Sequence, residues 1–221
     1  MLCEKDLFSI RIKQDKKGDG MKRIIIAVFL LCFLSGCKST RSVIAENGRF
    51  LVSAVGFDRK EDSVLASVEA IVVNSGDSEQ PPTATVFEGT GKTPVSALED
   101  AVKKSIKPLD FGHCAMVVLS DNLTDTTINQ IYKYCLDNNE ITVSVGFAKT
   151  DSANKLLKLK PTSDIAIGYE MAVMLETQYT ENDIRFNNRF YELENARIKG
   201  EKEADLPLFQ VNNENFYLVG E

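Results

Sequence analysis

The fold is decided by residues 50–73, which read FLVSAVGFDRKEDSVLASVEAIVV. The two halves of this stretch, 50–58 and 64–73, are rich in β-branched and other apolar residues, a composition typical of strands. The segment between them is polar and turn-like, so the pattern predicts an antiparallel hairpin. A polar loop at 74–82 follows, and then a third predicted strand at Thr83–Glu88.

A helix is predicted to begin at Thr93-Pro94. Threonine is a favoured N-cap, and proline suits the first helical position because its missing N–H would have no intrahelical partner there. Apolar residues three or four apart predict one buried stripe, and Pro108 predicts the end of the helix. The predicted stripe consists of Val95, Leu98, Val102 and Ile106.

Beyond this helix the pattern alternates between strand and helix. The short, almost wholly apolar segment Cys114–Leu119 predicts a strand that is covered on both faces. The order of elements predicts an α/β or α+β fold, with a mixed β-sheet flanked by helices. The later predicted elements are a helix at Asp125–Asp137, a strand at Ile141–Ala148, a short helix from a cap at Asp151 to about Leu159, an apolar helix at Ile165–Leu175 and a charged exposed helix or linker at Asp183–Lys199.

Residues 21–37 predict a lipoprotein signal peptide. A basic start at 21–23 precedes an apolar run at 24–34 and small residues before Cys37, which is the order of an export signal. The apolar run is about half of the roughly 20 residues that a helix needs to cross a bilayer. The lipobox-like ending is Leu34, Ser35, Gly36 and Cys37, and it predicts lipidation of the Cys37 thiol followed by cleavage.

These signals divide the chain into predicted segments. Residues 1–20 are polar and charged and would push the signal away from the N-terminus, so we expect a misplaced start codon and Met21 as the first residue. The remaining predicted segments are the signal peptide at 21–36, a tether at 37–48, the main α/β domain at 49–176, a charged helical linker at 177–205 and the start of a truncated second domain at 206–221.

The charge balance argues against a nucleic-acid partner. The chain has 26 Lys and Arg residues against 32 Asp and Glu residues, and no basic cluster appears in its body. Residues 1–36 hold seven of the basic and four of the acidic residues, so cleavage before Cys37 leaves a net charge of −9. Such a chain is not drawn to anionic lipid by charge, and the acyl chains would supply the anchoring.

The stretch 87–114, FEGTGKTPVSALEDAVKKSIKPLDFGHC, resembles the N-terminal domain of the Ger(x)C family of spore germination lipoproteins. The shared pattern is a glycine-rich turn, a capped helix and an FGHC sequence that enters a buried strand. Three further segments agree in order and spacing: FLVSAVGFDRKED at 50–62, NNEITVSVGFAKTDSANKLLKL at 138–159 and ADLPLFQV at 204–211. The residues of this chain that match the family pattern, with structural roles, are Gly91, Thr93, Pro94, Gly112, His113 and Cys114.

The resemblance implies a function without enzymatic activity or a cofactor. Members of the family are C subunits of germinant receptors, which sit in the spore inner membrane of sporulating Gram-positive bacteria. They work there with A and B membrane-protein subunits and respond to small nutrients. The family continues through two further α/β domains, so the resemblance implies that residues 216–221 open a strand pair that is disordered or sticky when isolated.

Two other function classes remain as alternatives. One is a solute-binding lipoprotein of a transporter, a class that also begins with a lipobox but usually has two α/β lobes. The other is an extracytoplasmic hydrolase, but the chain has neither a G-x-S-x-G nor an H-E-x-x-H pattern.

Two short motifs have both a functional and a structural interpretation. Gly91-Lys92-Thr93 suggests a P-loop, but that motif needs glycine at position 86, which is Val86 here, so a turn with an N-cap is favoured. His113 and Cys114 suggest a metal or catalytic pair. A structural zinc site wants four ligands, so we predict a structural histidine and a buried thiol. A disulfide between Cys114 and Cys135 stays open.

Clusters of acidic residues could indicate metal binding or hydrolytic chemistry. They fall in segments that are predicted to be turns or exposed helices, where charge is usually solvated, and we assign no catalytic residue. The clustered residues are Asp58, Glu61, Asp62, Glu192, Glu194, Glu201, Glu203 and Asp205.

Overall fold

One mixed β-sheet forms the centre of the computed structural model, which describes residues 48–72, 83–162, 166–201 and 205–219. Its strands follow the order β3-β2-β1-β5-β6-β7-β8, and β4 also pairs with β1. The strands are β1 (Phe50–Lys60), β2 (Ser63–Val72), β3 (Thr83–Gly91), β4 (Leu109–Asp110), β5 (Met116–Ser120), β6 (Gly146–Thr150), β7 (Leu208–Asn212) and β8 (Asn215–Leu218).

Helices cover both faces of this sheet, as the predicted α/β class requires. We call the face packed against α1, α2 and α5 the first face, and the face packed against α3 and α4 the second face. The helices are α1 (Pro94–Lys103), α2 (Asp125–Asp137), α3 (Ala153–Leu157), α4 (Ile167–Asn182) and α5 (Phe190–Lys199).

The N-terminal half of the sheet is the predicted hairpin with a third strand added. β1 and β2 are antiparallel and meet at a tight turn in which Glu61 has a positive φ of 53°. β3 runs antiparallel to β2 over its whole length, so it forms one edge of the sheet. The prediction of a hairpin followed by a third strand is confirmed.

The other half of the sheet is parallel. β5 pairs with β1 and β6 pairs with β5, each in parallel register, and all five residues of β5 are buried. This confirms the predicted buried strand, which spans Met116–Ser120 and so begins two residues later than predicted. A strand between two helical layers has no solvent-facing side.

The apolar stripe of α1 differs from the predicted one. The helix ends at Lys103, and the Ile106 side chain is 87% exposed, so Ile106 is not part of the core. The buried stripe uses Ala97, Leu98 and Ala101 instead. Small residues are needed there because α1 lies directly on β3: a Cβ added to Gly89 would come within 2.1 Å of the Ala101 backbone nitrogen.

The strand predicted at Ile141–Ala148 begins later, at Gly146. The residues before it turn and bond to the segment that leads into α5, with the Phe190 N–H donating to the Val145 carbonyl at 2.9 Å. The short helix after β6 is capped by Ser152 and not by Asp151, because the Ser152 hydroxyl accepts from the Lys155 N–H.

The C-terminal segments also differ from expectation. The segment Asp183–Lys199 was predicted to be a charged exposed helix or linker, within a charged helical linker at 177–205. It contains the helix α5, but this helix packs Phe190 and Leu193 into the core of the first face. Residues 206–221 were predicted to start a truncated second domain, with a disordered or sticky strand pair at 216–221. Among them, Leu208–Asn212 pairs with β6 in parallel register and buries Phe209 completely, so the β7–β8 hairpin extends the same sheet.

Candidate functional site

The predicted lipidation site, Cys37 with Leu34, Ser35 and Gly36, lies outside the described residues. Lipidation at Cys37 therefore stays a prediction. Within the part of the chain that the structure describes, no helix is both long enough and apolar enough to span a bilayer.

The turn from β3 into α1 contains Gly91, Thr93 and Pro94. Thr93 and Ser96 form a reciprocal cap: the Thr93 hydroxyl accepts from the Ser96 N–H at 3.2 Å, and the Ser96 hydroxyl accepts from the Thr93 N–H at 3.0 Å. A Cβ on Gly91 would lie 2.5 Å from the Ala97 nitrogen, so the turn approaches the helix too closely for a side chain. The capping hydroxyls occupy N–H groups that a bound phosphate would need.

The FGHC sequence forms a 3₁₀ turn ahead of β5. The Gly112 N–H donates to the Asp110 carboxylate at 2.9 Å, and His113 lies half-exposed with its Nδ1 4.0 Å from the same oxygen. Cys114 is buried, and its thiol donates to the Met116 carbonyl at 3.4 Å. These contacts fix the entry of the chain into the sheet.

Cys114 and Cys135 are both free thiols in the core of the first face. Burial raises the pKa of each thiol to about 12, because the thiolate would lose its hydration. Thiols with so high a pKa are poor nucleophiles at neutral pH. In the structure, Cys114 and Cys135 are therefore two protonated thiols without a disulfide between them.

Two carboxylates on the second face take part in contacts that the sequence did not predict. The first is Glu69 of β2, whose side chain is buried at 1% exposure. Its oxygens accept from the Ile167 and Gly168 N–H groups, each at 2.8 Å, and from the Ser53 hydroxyl at 2.7 Å. Ala166, the N-cap residue of α4, has no side-chain acceptor, so Glu69 caps this helix from the neighbouring sheet.

The second carboxylate is Asp58, near the end of β1. It accepts from the Ala153 N–H at 3.0 Å and the Asn154 N–H at 2.8 Å, and so caps α3 in the same way. Its predicted place in a solvated turn is wrong, because β1 continues to Lys60 and Asp58 is buried under α3. Burial raises the pKa of Asp58 and of Glu69, and the hydrogen bonds from the amides oppose this effect without reversing it.

A polar chain beside these carboxylates connects α3 to the edge strand β3. The Asn154 amide donates to the Ser67 hydroxyl at 2.8 Å and to the Glu88 carboxylate, which also forms an ion pair with Lys158 at 2.6 Å. The contact with Lys158 is the largest cause that lowers the pKa of Glu88. The carboxylates of Glu69, Asp58 and Glu88 therefore all have partners: the first two bind helix N-termini, and Glu88 binds the Asn154 amide and Lys158.

A cleft of about 390 Å³ lies on the first face, between α2 and α5. Its lining includes Glu194, a carboxylate predicted to be solvated. The side chain is only 11% exposed, and it accepts from the Arg197 guanidinium at 2.8 Å. Among the described residues no group of three or more histidine, cysteine or acidic side chains is placed to hold a metal ion.

Sequence reasoning missed Glu69 and Asp58 because their partners lie 98 and about 95 residues further along the chain. One signal was available. Glu69 is the single charge within the apolar run 64–73, and a lone charge on a buried strand needs a partner.

Comparisons with known proteins agree with the resemblance to spore germination proteins. The family model of the spore germination protein N-terminal domain matches residues 47–211. The chain is also similar to the spore germination protein GerQC of Bacillus cereus, at 23% identity over 189 residues, which is 85% of this chain and 51% of that protein. The chain thus spans about half the length of that relative. No solved structure matches.

The matched region includes the β1–β2 hairpin, the capped helix α1, the FGHC turn and the carboxylates Glu69 and Asp58. It covers well over half of the chain. The chain therefore belongs to the family defined by the spore germination protein N-terminal domain.

Proposed function

We propose that this chain is a lipid-anchored, non-enzymatic subunit of a nutrient germinant receptor that acts in spore germination. The observation that carries the proposal is the family match over residues 47–211, which begins ten residues after Cys37. A lipobox followed at once by this domain is the arrangement expected of a protein tethered closely to a membrane surface.

The anchor is the acylated Cys37, on the outer face of the cell membrane and, in the spore, of the inner membrane. The chain from Cys37 onward is acidic, with a net charge of −9, so electrostatic attraction to anionic lipid would not hold it there. Two acyl chains are enough for stable attachment, whereas one gives only marginal binding. Residues 37–48 serve as the tether in this proposal.

The non-enzymatic role is supported by how the buried polar groups are used. The Glu69 and Asp58 carboxylates bind backbone amides of α4 and α3, and the Cys114 thiol has a pKa of about 12. These groups hold the fold together, which suits a subunit that works through contacts with the A and B membrane subunits.

Germination of spores from a deletion strain tests the proposal. The strain should lack every other matching receptor, so that the response depends on this chain and its partner subunits. We expect nutrient-triggered loss of refractility to disappear on deletion and to return when the gene is restored. An unchanged germination response would refute the receptor role. Impaired uptake of a labelled solute with normal germination would favour a transporter-associated binding lipoprotein.

A further inference from the structure

The edge strand β3 has one closed half and one open half. In an antiparallel pair, alternate residues direct their N–H and C=O groups away from the partner strand. At the closed end, the Thr90 N–H donates to the Asp100 carboxylate at 3.0 Å, and the Glu88 carbonyl accepts from the Lys104 ammonium at 2.8 Å. Side chains of α1 thus satisfy the outward groups of this half.

The open half contains the next two outward positions, Val86 and Ala84. The pairing of β3 with β2 is continuous from Gly91 to Thr83, so the alternation that directs Thr90 and Glu88 outward applies to both residues. Among the described residues, neither of them has an outward hydrogen-bond partner. An open stretch of strand edge is a template for another strand.

A groove runs along the same stretch, on the second face of the sheet. It has a volume of about 530 Å³ and lies between residues 83–86 and residues 157–161. Its walls include the apolar side chains of Leu159 and Pro161. Lys158 is paired with Glu88, whereas Lys160 is exposed and has no ion-pair partner in the described chain. Glu69 also lines the groove, but it is buried and its carboxylate is bonded to the amides of α4. The exposed charge beside the apolar walls is therefore that of Lys160, which favours a ligand with apolar and acidic side chains.

We infer that the Ala84–Val86 edge of β3 binds an extended, acidic and apolar peptide segment of another polypeptide, which adds to the sheet as a strand. The ligand backbone pairs with the outward groups of Ala84 and Val86. Every second side chain of the ligand lies on the second face and points toward the groove. Of these, an apolar one reaches Leu159 and an acidic one reaches Lys160. Asp100 and Lys104 limit the added strand to the open half.

Amide hydrogen exchange on the full chain tests this inference, with two synthetic hexapeptides as probes. The first has the sequence Glu-Thr-Val-Thr-Glu-Thr, in which every second residue, and so one face of the strand, presents glutamate and valine. The second has lysine in place of each glutamate. We expect the glutamate peptide to slow exchange at Ala84 and Val86 by about tenfold or more, because these amides become hydrogen-bonded. The lysine peptide should leave them unchanged, and the Thr90 amide should not respond to either peptide because Asp100 already binds it.

Two substitutions make the test specific. Ala84→Pro removes an outward N–H that is not part of the β2 ladder, and proline is tolerated at such edge positions, so protection by the peptide should be lost. Lys160→Glu replaces an exposed cation and should weaken binding about tenfold. Lys133→Glu, on the outer side of α2, is the matched control and should have no effect. If Ala84→Pro does not fold, the comparison of Lys160→Glu with Lys133→Glu still tests whether the peptide binds beside Lys160.

Several results would overturn the inference. One such result is that the Ala84 and Val86 amides stay unprotected at a saturating concentration of the glutamate peptide. Another is that Lys160→Glu binds this peptide as tightly as the original chain. Protection of Ala84 and Val86 in the free chain at every concentration would mean that the chain covers its own edge. Protection that falls on dilution would mean that a second copy covers it.

Discussion

Both faces of the sheet pack apolar side chains against their helices, but the second face adds hydrogen bonds from buried carboxylates. On the first face the contacts are apolar: Phe147 packs against Tyr132 and Phe190, with ring centroids 5.0 and 5.8 Å apart. On the second face two buried carboxylates, Glu69 and Asp58, bind the N-terminal amides of α4 and α3. Apolar contacts are non-directional, whereas hydrogen bonds to helix amides fix both the position and the direction of a helix.

The difference predicts which substitutions each face tolerates. The first face should accept changes that preserve apolar volume, since its stability depends on area removed from water. The second face should be sensitive to changes that keep volume but alter hydrogen bonding or the approach of a helix. Substitutions at three sites, with their controls, test this in order of decreasing effect.

Phe147→Ala should lower the free energy of unfolding by about 3–5 kcal/mol, because it removes a fully buried ring and leaves a cavity. Phe147→Leu keeps most of the apolar volume and should cost roughly 1–2 kcal/mol. Urea denaturation of both variants measures the two values. Equal losses in the two variants would show that ring geometry, and not apolar volume, holds the first face.

Gly168→Ala should lower the free energy of unfolding by about 2–3 kcal/mol, because overpacking forces backbone shifts. The added Cβ would lie 2.6 Å from the Ser53 carbonyl oxygen and 2.7 Å from the Ala54 Cβ, so α4 must move away from Glu69. Gly112→Ala is the matched control: its Cβ meets only the Asp110 carboxylate, at 3.1 Å. Two variants of equal stability would show that α4 has room at this contact.

Glu69→Gln should cost about 1–2 kcal/mol near pH 4.5, because the amide group cannot accept from every donor that the carboxyl group serves. The cost should also depend on pH. Burial raises the folded-state pKa of Glu69 above its usual value, so the stability that protonated Glu69 contributes is complete below about pH 4.5 and is lost as pH rises through the folded pKa.

Glutamine does not titrate, so the gap in unfolding free energy between the original chain and Glu69→Gln should narrow from pH 4 toward pH 7. Denaturation of both proteins across this range measures the gap, and groups common to both cancel in the difference. A gap that widens with pH would mean that the amide hydrogen bonds outweigh desolvation and lower the pKa of Glu69.

Features that depend on neighbouring residues could be predicted from the sequence, whereas contacts between distant segments could not. The hairpin at 50–73, the cap at Thr93 and the buried strand at 114–119 depend on local composition, and all three were predicted. The roles of Glu69 and Asp58 depend on amides almost a hundred residues away, which no local pattern reveals. The place of β7 beside β6 likewise depends on contacts formed only in the folded chain.

The end of α1 shows a further limit of pattern reasoning. Ile106 continues the spacing of Val95, Leu98 and Val102, but the helix stops three residues before it. Periodicity identifies a candidate face without locating the last turn. The packing of Ala97 and Ala101 against Gly89 shows the same point, since close approach of a helix to a strand is a property of the pair and not of either sequence alone.

In the function that we propose, a lipid at Cys37 places this spore germination domain on a membrane, where it acts in germination. Its most direct test is fatty-acid labelling of Cys37→Ala in the source organism, with Cys32→Ala in the same apolar run as the matched control. We predict that Cys37→Ala loses the label, leaves the membrane fraction and gives spores that fail to respond to nutrients, while Cys32→Ala behaves like the original chain. A Cys37→Ala chain that keeps its label and supports a normal germination response would show that Cys37 is not the lipid anchor and that germination does not need it.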